Sequence, residues 1–284
     1  MQRIGQLDAE AITSPCEGMK DPFGYRNHMQ YQAGIDENHH LFFGLYASKS
    51  HTAIPIQHCH IAHPSCEAIR KALSVYLNDV AAYPQAVSQL IVRVGIYTGD
   101  IMVIIKGQKK AMRIVPHELK GAIDAVLKKP FELKSLWLDD LTGTSELIFG
   151  ERSIQEKIDD LGFTISPHSF FQVNTQQTVR LYDIIKRLSD IKPDDTIIDY
   201  YCGTGSIGIY LCGHENELIG IEVNSDAVNN ARINAKTNHI DKATFICEDV
   251  KRLETDTKRA SHIAIVDPPR KGCDKALIDA VIEA

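Results

Sequence analysis

"DYYCGTGSIGIYL", residues 199–211, sets three glycines between two apolar runs. Gly203, Gly205 and Gly208 spell G-x-G-x-x-G, with a strand-like run "TIIDYY" ahead and a helix-like run "SIGIYLCG" behind. A glycine turn between a strand and a helix start presents backbone N–H groups to a ligand. Glu222 ends the next apolar run, "ELIGIEV", where a carboxylate accepts hydrogen bonds from ribose hydroxyls. The same layout serves a dinucleotide, S-adenosylmethionine, or nothing more than a turn for helix–strand packing.

Outward from that loop, strands and helices alternate. Helix "QQTVRLYDIIKRLSDI" precedes it; helix "SDAVNNARINAKTN", strand "ATFICED", strand "HIAIVDPP" and helix "KALIDAVIEA" follow. This rhythm predicts βαβ units on a parallel sheet, with ligands at the carboxyl ends of the strands. An acidic residue follows each of four successive strands. Asp199 is placed to meet the cationic methionine end of S-adenosylmethionine and would repel a pyrophosphate. Asp249, in "CEDV", is placed to accept from an adenine amino group. Asp267 opens "DPPR", in which Pro268 and Pro269 offer carbonyls but no N–H groups, a fitting rim for a base swung out of its stack. These features favour the methyl donor over a dinucleotide.

The first half reads differently. Residues 22–56 alternate short apolar and polar stretches, as antiparallel strands do. "CEAIRKALSVYLNDV" (66–80) and "PHELKGAIDAVLKK" (116–129) have helical spacing, and "QLIVRVGIYTGDIMVIIKG" (89–107) reads as a hairpin around Thr98-Gly99-Asp100. "LWLDDLTGTSELIFG" adds a strand and a turn, giving an α+β arrangement. The chain has 284 residues, 44% hydrophobic and 24% charged, the composition of a globular protein. Its net charge is −6, and the whole acidic excess lies in residues 151–284. A nucleic-acid partner must therefore be held by local basic patches or by protein outside this chain. No apolar run is long enough for a membrane span and the start lacks a signal-peptide layout, so the expected location is cytoplasmic, without membrane contact. Seven cysteines in such a chain argue against a disulfide framework.

Four stretches together, in this order, resemble one family, the RNA uracil-5-methyltransferases that form 5-methyluridine in ribosomal and transfer RNA. "GYRN" (24–27) resembles a segment of its central domain, "SPHSFFQVN" (166–174) the segment ahead of its methyltransferase domain, "DYYCGTGSIG" its D-x-x-C-G-x-G cofactor loop and "DPPRKG" (267–272) its fourth motif. The double proline and "KG" lean toward the ribosomal branch. The resemblance implies an α/β fold in which a Rossmann-like S-adenosylmethionine-dependent methyltransferase domain (161–284), incomplete at its C-terminus, follows an α+β central RNA-recognition domain (1–160). It implies that Gln172 contacts the cofactor, Tyr201 lines the adenosine, Ser206 meets the methionine end, Glu222 binds the ribose and Asp267 faces the methyl donor, around the Gly203–Gly205 loop. Arg26, Phe171, Pro268 and Arg270 become the expected RNA contacts. The expected partner is RNA, ribosomal before transfer, and the expected state a monomer.

Methylation at uracil C5 needs a thiolate at C6 and then a base that removes the C5 proton. Cys202 falls where the family keeps a non-nucleophilic cysteine, Cys212 and Cys247 read as packing residues, and Cys273 lies near Arg270. The family's nucleophile and its glutamate base would both fall beyond Ala284, so the expectation is a fragment that keeps the cofactor half of the site. Cys59, in "IQHCHIAHPSC", resembles the later ligand of the family's iron–sulfur members, which implies a [4Fe-4S] cluster in the full-length parent. A zinc reading competes, because Cys59, His63 and Cys66 would share one face of a helix. A methyltransferase for another base or an amine, a non-catalytic RNA-binding module and an NAD oxidoreductase stay open as alternatives.

Overall fold

The computed structural model describes residues 13–80, 84–250, 263–273 and 275–283. Residues 1–12, His262 at the head of the expected fourth strand and Ala284 at the tail of the expected last helix lie outside the described residues. Strands β1 (His28–Ile35), β2 (Leu41–Tyr46), β3 (Ala53–Pro55), β4 (Val87–Val94), β5 (Asp100–Gly107), β6 (Glu132–Asp140) and β7 (Ser145–Gly150) form one sheet in the order β3-β2-β1-β4-β5-β6-β7. Every neighbouring pair is antiparallel except β5 and β6. That parallel pair requires a crossover, made by the helices α2 (Lys109–Met112) and α3 (Pro116–Asp124). With α1 (Pro64–Val80) they cover one face of the sheet.

β5 shows how this sheet comes to separate two cores. Its side chains alternate across the pleat: Ile101, Val103 and Ile105 join the core under α1 and α3, whereas Met102 and Ile104, with Trp137 of β6, join the core of the following domain. A strand buried on both faces reads as an unbroken apolar run, as "IMVII" does.

The second sheet is wholly parallel, in the order β12-β11-β10-β13. Its strands are β10 (Thr196–Tyr200), β11 (Glu217–Glu222), β12 (Ala243–Cys247) and β13 (Ile263–Val266), with α4 (Thr175–Ser189), α5 (Ser206–Leu211), α6 (Ser225–Thr237) and α7 (Lys275–Glu283) in sequence around them. The order reverses between β10 and β13, so the cleft of this sheet opens at their carboxyl ends. Both the glycine loop and Asp267 emerge there. Among the described residues, no helix is long and apolar enough to cross a membrane.

A hairpin, β8 (Ile154–Ile158) and β9 (Leu161–Ile165), lies between the sheets. Ile154, Ile158, Phe163 and Ile165 all enter the second core. The division expected at residue 160 falls on the turn of a hairpin whose inward apolar residues all join the second core. The outer edge of β9 meets α6 rather than a strand. Asn238 accepts from the Gly162 N–H at 2.9 Å and donates to its carbonyl at 2.8 Å. Asn234 accepts from the Thr164 N–H at 2.7 Å and donates to the Thr204 carbonyl at 3.0 Å. Asn230 accepts from Ser166 Oγ at 2.9 Å and donates to Ser169 Oγ at 2.8 Å. Four helical residues rise about 6 Å and two strand residues about 6.7 Å, so asparagines four apart keep step with every second strand residue. An edge that would otherwise be open to another chain is satisfied this way.

Candidate functional site

The cleft at the carboxyl ends of β10 and β13 is built by the glycine loop. Gly203 (φ 54°) and Gly205 (φ 77°) both adopt the left-handed conformation that glycine tolerates. A Cβ on Gly203 would meet nothing within 4 Å, so the loop presents bare backbone to open space there. A Cβ on Gly208 would come within 2.7 Å of Leu218 and 3.0 Å of Asp199 Oδ2, which makes this glycine a condition of the close contact between α5 and the sheet. Its N–H donates to Asp199 Oδ2 at 3.0 Å.

Asp199 is 1% exposed, and its Oδ1 is buried without a hydrogen-bond partner among the described residues. Its carboxyl is pushed up to about 7, first by burial and then by Asp267 and Glu222, against the opposing Gly208 N–H. A buried carboxylate with one oxygen unpaired and two further carboxylates nearby is a receptor for a cation. Glu222 accepts from the Gly203 N–H at 3.2 Å through one oxygen and from the Asn224 N–H at 2.8 Å through the other. It is thus fixed beside the loop with lone pairs remaining for further donors.

Gln172 and Ser206 converge on a residue that the sequence reading passed over. Tyr182, fully buried on α4, shares a 2.8 Å hydrogen bond with Ser206 Oγ, and the neighbouring Gln172 side chain acts to lower its phenol. Burial raises its phenol, and the fields of Asp199 and Asp267 raise it further. Tyr182 therefore lies among Gln172, Ser206, Asp199 and Asp267. Tyr201 (φ 63°) packs against the cluster of Ile198, Tyr200, Ile221 and Leu277 beside the loop. Asp249, just after β12, is half-buried, with its N–H on Glu248 Oε1 at 3.0 Å. Pro268 is half-buried and Arg270 exposed, in a turn closed by the Gly272 N–H on the Pro269 carbonyl at 2.8 Å.

Two expectations need correction. Phe171, expected against the substrate, is 4% exposed and packs on Phe163 with ring centroids 5.8 Å apart. Phe170 is the open ring, at 63% exposure; neighbours on extended chain point to opposite sides, and the core took the second phenylalanine. The helical metal face also fails. α1 starts at Pro64, so Cys59 and His63 precede it, while Cys66 is wholly buried and burial raises its thiol. Cys59 donates its N–H to Glu67 Oε2 at 3.3 Å and packs against the first core, apart from the cleft. Among the described residues, no group of three His, Cys, Asp or Glu side chains could hold a metal ion. Cys202 is buried, with a thiol raised first by burial and then by Asp199 and Glu222, the opposite of what a nucleophile needs.

Arg26 sits at the junction of the domains. It pairs with Ala62 in an isolated bridge and donates Nε to the His28 carbonyl at 3.1 Å. His28 is pushed down to about 3 by burial, then by Arg93 and Arg26, and so stays neutral between two guanidinium groups.

Comparison with known proteins agrees with this geometry. A family profile described as a methyltransferase domain matches residues 191–268. A protein of Enterococcus faecalis named "Uncharacterized RNA methyltransferase" is 33% identical over 303 residues, covering 100% of this chain and 65% of its own length. One of Clostridium acetobutylicum with the same kind of name is 29% identical over 304 residues, again covering 100% of this chain and 65% of its own. The chain thus spans about 65% of the length of these curated relatives. The crystal structure of Pyrococcus abyssi tRNA (uracil-54, C5)-methyltransferase in complex with S-adenosyl-L-homocysteine superposes with a TM-score of 0.72 at 22% identity, covering 92% of this chain and 64% of that one. The shared fold is the Rossmann-like one of S-adenosylmethionine-dependent methyltransferases.

Proposed function

We propose that this chain, a methyltransferase-domain relative of proteins named RNA methyltransferases, is the cofactor-binding part of an S-adenosylmethionine-dependent enzyme that methylates C5 of uridine in RNA. The observation that carries this reading is Asp199 Oδ1, buried and unpaired at the switch point of a parallel sheet. S-adenosylmethionine brings two cationic centres, a sulfonium and an ammonium, to such a place; a dinucleotide brings a pyrophosphate that Asp199 and Asp267 would repel.

When bound, the cofactor supplies an electrophilic methyl group. The chain's own residues then divide the work. Asp199 and Asp267 hold the cationic methionine end, with Gln172 and Ser206 set by Tyr182 beside it. Glu222 takes ribose hydroxyls next to the bare backbone of Gly203. Tyr201 lines the adenosine and Asp249 receives its amino group. On the RNA side, Arg26 and Arg270 meet phosphates or base edges, Pro268 rims the base and the exposed Phe170 ring faces it. Uridine C5 is the target the motif set implies, and ribosomal RNA is preferred over transfer RNA on the double proline and "KG". The nucleophilic cysteine is a matter for the whole protein, since Cys202 is unsuited to that part. An iron–sulfur cluster in the whole protein would draw Cys59 from this chain and its other ligands from elsewhere; iron and sulfide analysis of the whole protein checks it.

Calorimetry tests the cofactor reading: the chain binds S-adenosylhomocysteine and not NADH, and the reverse preference refutes it. The uridine reading is tested with the whole protein, S-adenosylmethionine, and ribosomal or transfer RNA carrying tritium at uracil C5. Methylation at C5 releases the tritium to water; methyl incorporation without release rejects C5 as the target.

A further inference from the structure

Asn27, next in sequence to the arginine assigned to RNA, is 3% exposed and turns its side-chain N–H groups and its main-chain N–H to the second domain. Its Nδ2 donates to the Gln172 carbonyl at 3.2 Å and to Thr175 Oγ1 at 2.9 Å. Its N–H donates to the Val173 carbonyl at 3.0 Å, and its own carbonyl accepts from the Val94 N–H at 2.8 Å. The hydroxyl of Thr175 in turn donates to Glu156 Oε2 at 3.0 Å. Glu156, 1% exposed, also accepts from Ile96 N–H at 2.8 Å and Tyr97 N–H at 3.1 Å, between β4 and β5. On the other side of Gln172, Arg93 of β4 donates Nη2 to the Ser169 carbonyl at 2.9 Å. Residues 170–173 belong to no strand or helix, so their main-chain groups have no ladder to rely on. They hang from the first sheet on both sides of Gln172.

We propose that Asn27 is a positioning residue for cofactor binding: the RNA-recognition domain, through Asn27 and Thr175, fixes the backbone of Gln172 so that its side chain reaches Tyr182 and the cleft. The inference rests on the cofactor reading of Gln172 given above. It makes the methyltransferase half dependent on the preceding domain for its affinity, and it puts the RNA contact Arg26 and the cofactor contact Gln172 on either side of one buried amide. A binding side chain displaced by a fraction of an ångström loses much of its worth, and losing the Asn27 side chain leaves the Gln172 carbonyl and Thr175 short of a donor.

The test is calorimetric titration of the full chain with S-adenosylhomocysteine, alongside thermal unfolding. Asn27→Ala weakens binding ~10-fold, the cost of unpaired buried groups, and adds little when combined with Gln172→Ala, because both remove the same contact. Asn78→Ala is the structural control. Asn78 bridges α1 to β2 through the Leu41 N–H and carbonyl at 2.7 and 2.8 Å; its loss lowers the melting temperature and leaves cofactor affinity unchanged. Should Asn27→Ala fail to fold, Thr175→Val carries the test by weakening binding, with Thr175→Ser restoring it. Wild-type affinity in Asn27→Ala or, if that fails to fold, in Thr175→Val overturns the proposal, as does full additivity with Gln172→Ala. A wild-type chain that does not bind S-adenosylhomocysteine overturns the cofactor reading itself, and this inference with it.

Discussion

Glu67 and Asp199 are buried almost alike, at 4% and 1% exposure, yet their surroundings have little in common. Glu67, on α1, accepts from Tyr31 OH at 2.8 Å, from Arg70 Nε at 3.2 Å and Nη2 at 3.0 Å, and from the Cys59 N–H. Burial alone would raise its carboxyl, but Arg70 and Tyr31 prevail and hold it below the usual range. Among the described residues, Asp199 has one N–H, no cation and two other carboxylates for company. Glu67 thus carries its own counter-ion three residues along the helix and closes a core. Asp199 has been left without one at the mouth of a parallel sheet, where it is completed by its own proton or, once ionised, by a cation from outside. A buried acid is read by what completes it, not by its burial.

Removing the internal counter-ion is the harshest way to break this contrast. Arg70→Ala strands Glu67 and costs about 3–5 kcal/mol of stability, seen as a large loss in urea midpoint. Asp199→Asn acts on the other side of the comparison. It removes the acceptor of a cationic ligand, costs about 2–5 kcal/mol of S-adenosylhomocysteine affinity, and leaves the unfolding midpoint of the ligand-free chain at or above that of the wild type. Gly208→Ala attacks the support of Asp199 by forcing a Cβ against Leu218 and Asp199 Oδ2. It costs about 1–3 kcal/mol as overpacking and lowers ligand affinity as well.

The two acids also differ in the sign of their pH dependence. Asp199 keeps its proton in the folded, ligand-free chain up to about pH 7, whereas the unfolded chain releases it near its ordinary value of 3.8. Its contribution to stability is full below that ordinary value and is lost as pH rises through about 7. Glu67, held below its ordinary 4.5, contributes above that value and loses the contribution as pH falls through its lower folded value. Thermal unfolding of wild type and Asp199→Asn from pH 5 to 8 checks the first: the variant gains on the wild type as pH rises. Cofactor affinity moves the opposite way, rising with pH as Asp199 ionises. The smallest effect belongs to the asparagine ladder, where Asn238→Ala costs about 1 kcal/mol of stability and leaves affinity untouched.

The parallel half was legible because its period is strong. "TIIDYY", the glycine loop and "SDAVNNARINAKTN" each carry a single-period signal, and the elements fall within a few residues of where the pattern puts them. The hairpin at 154–165 was not legible. Its inward positions are Ile154, Glu156 and Ile158, and the buried Glu156 breaks the apolar alternation that would have marked a strand. The parallel β5–β6 pair escaped because two strands with helices between them can pair in either direction. In the candidate site, residues on the strand ends were visible from position alone, since strand ends on a parallel sheet all point to one rim. Tyr182, Asn27 and Arg93 were not. Polar and aromatic residues of these kinds are assigned to surfaces or cores by default, and the Asn27–Gln172 bond joins residues 145 apart in sequence.

By itself, then, the sequence determined the βαβ half and the loop with its acid after each strand, because period and charge are local properties that survive without knowing any contact. Only the tertiary structure decided that Asp199 Oδ1 lacks a partner among the described residues while Glu67 has several, that Phe171 is core and Phe170 open, and that the first domain grips the second on both sides of Gln172. Each of those is a property of what lies opposite a residue in space, and a chain read one position at a time holds no record of it.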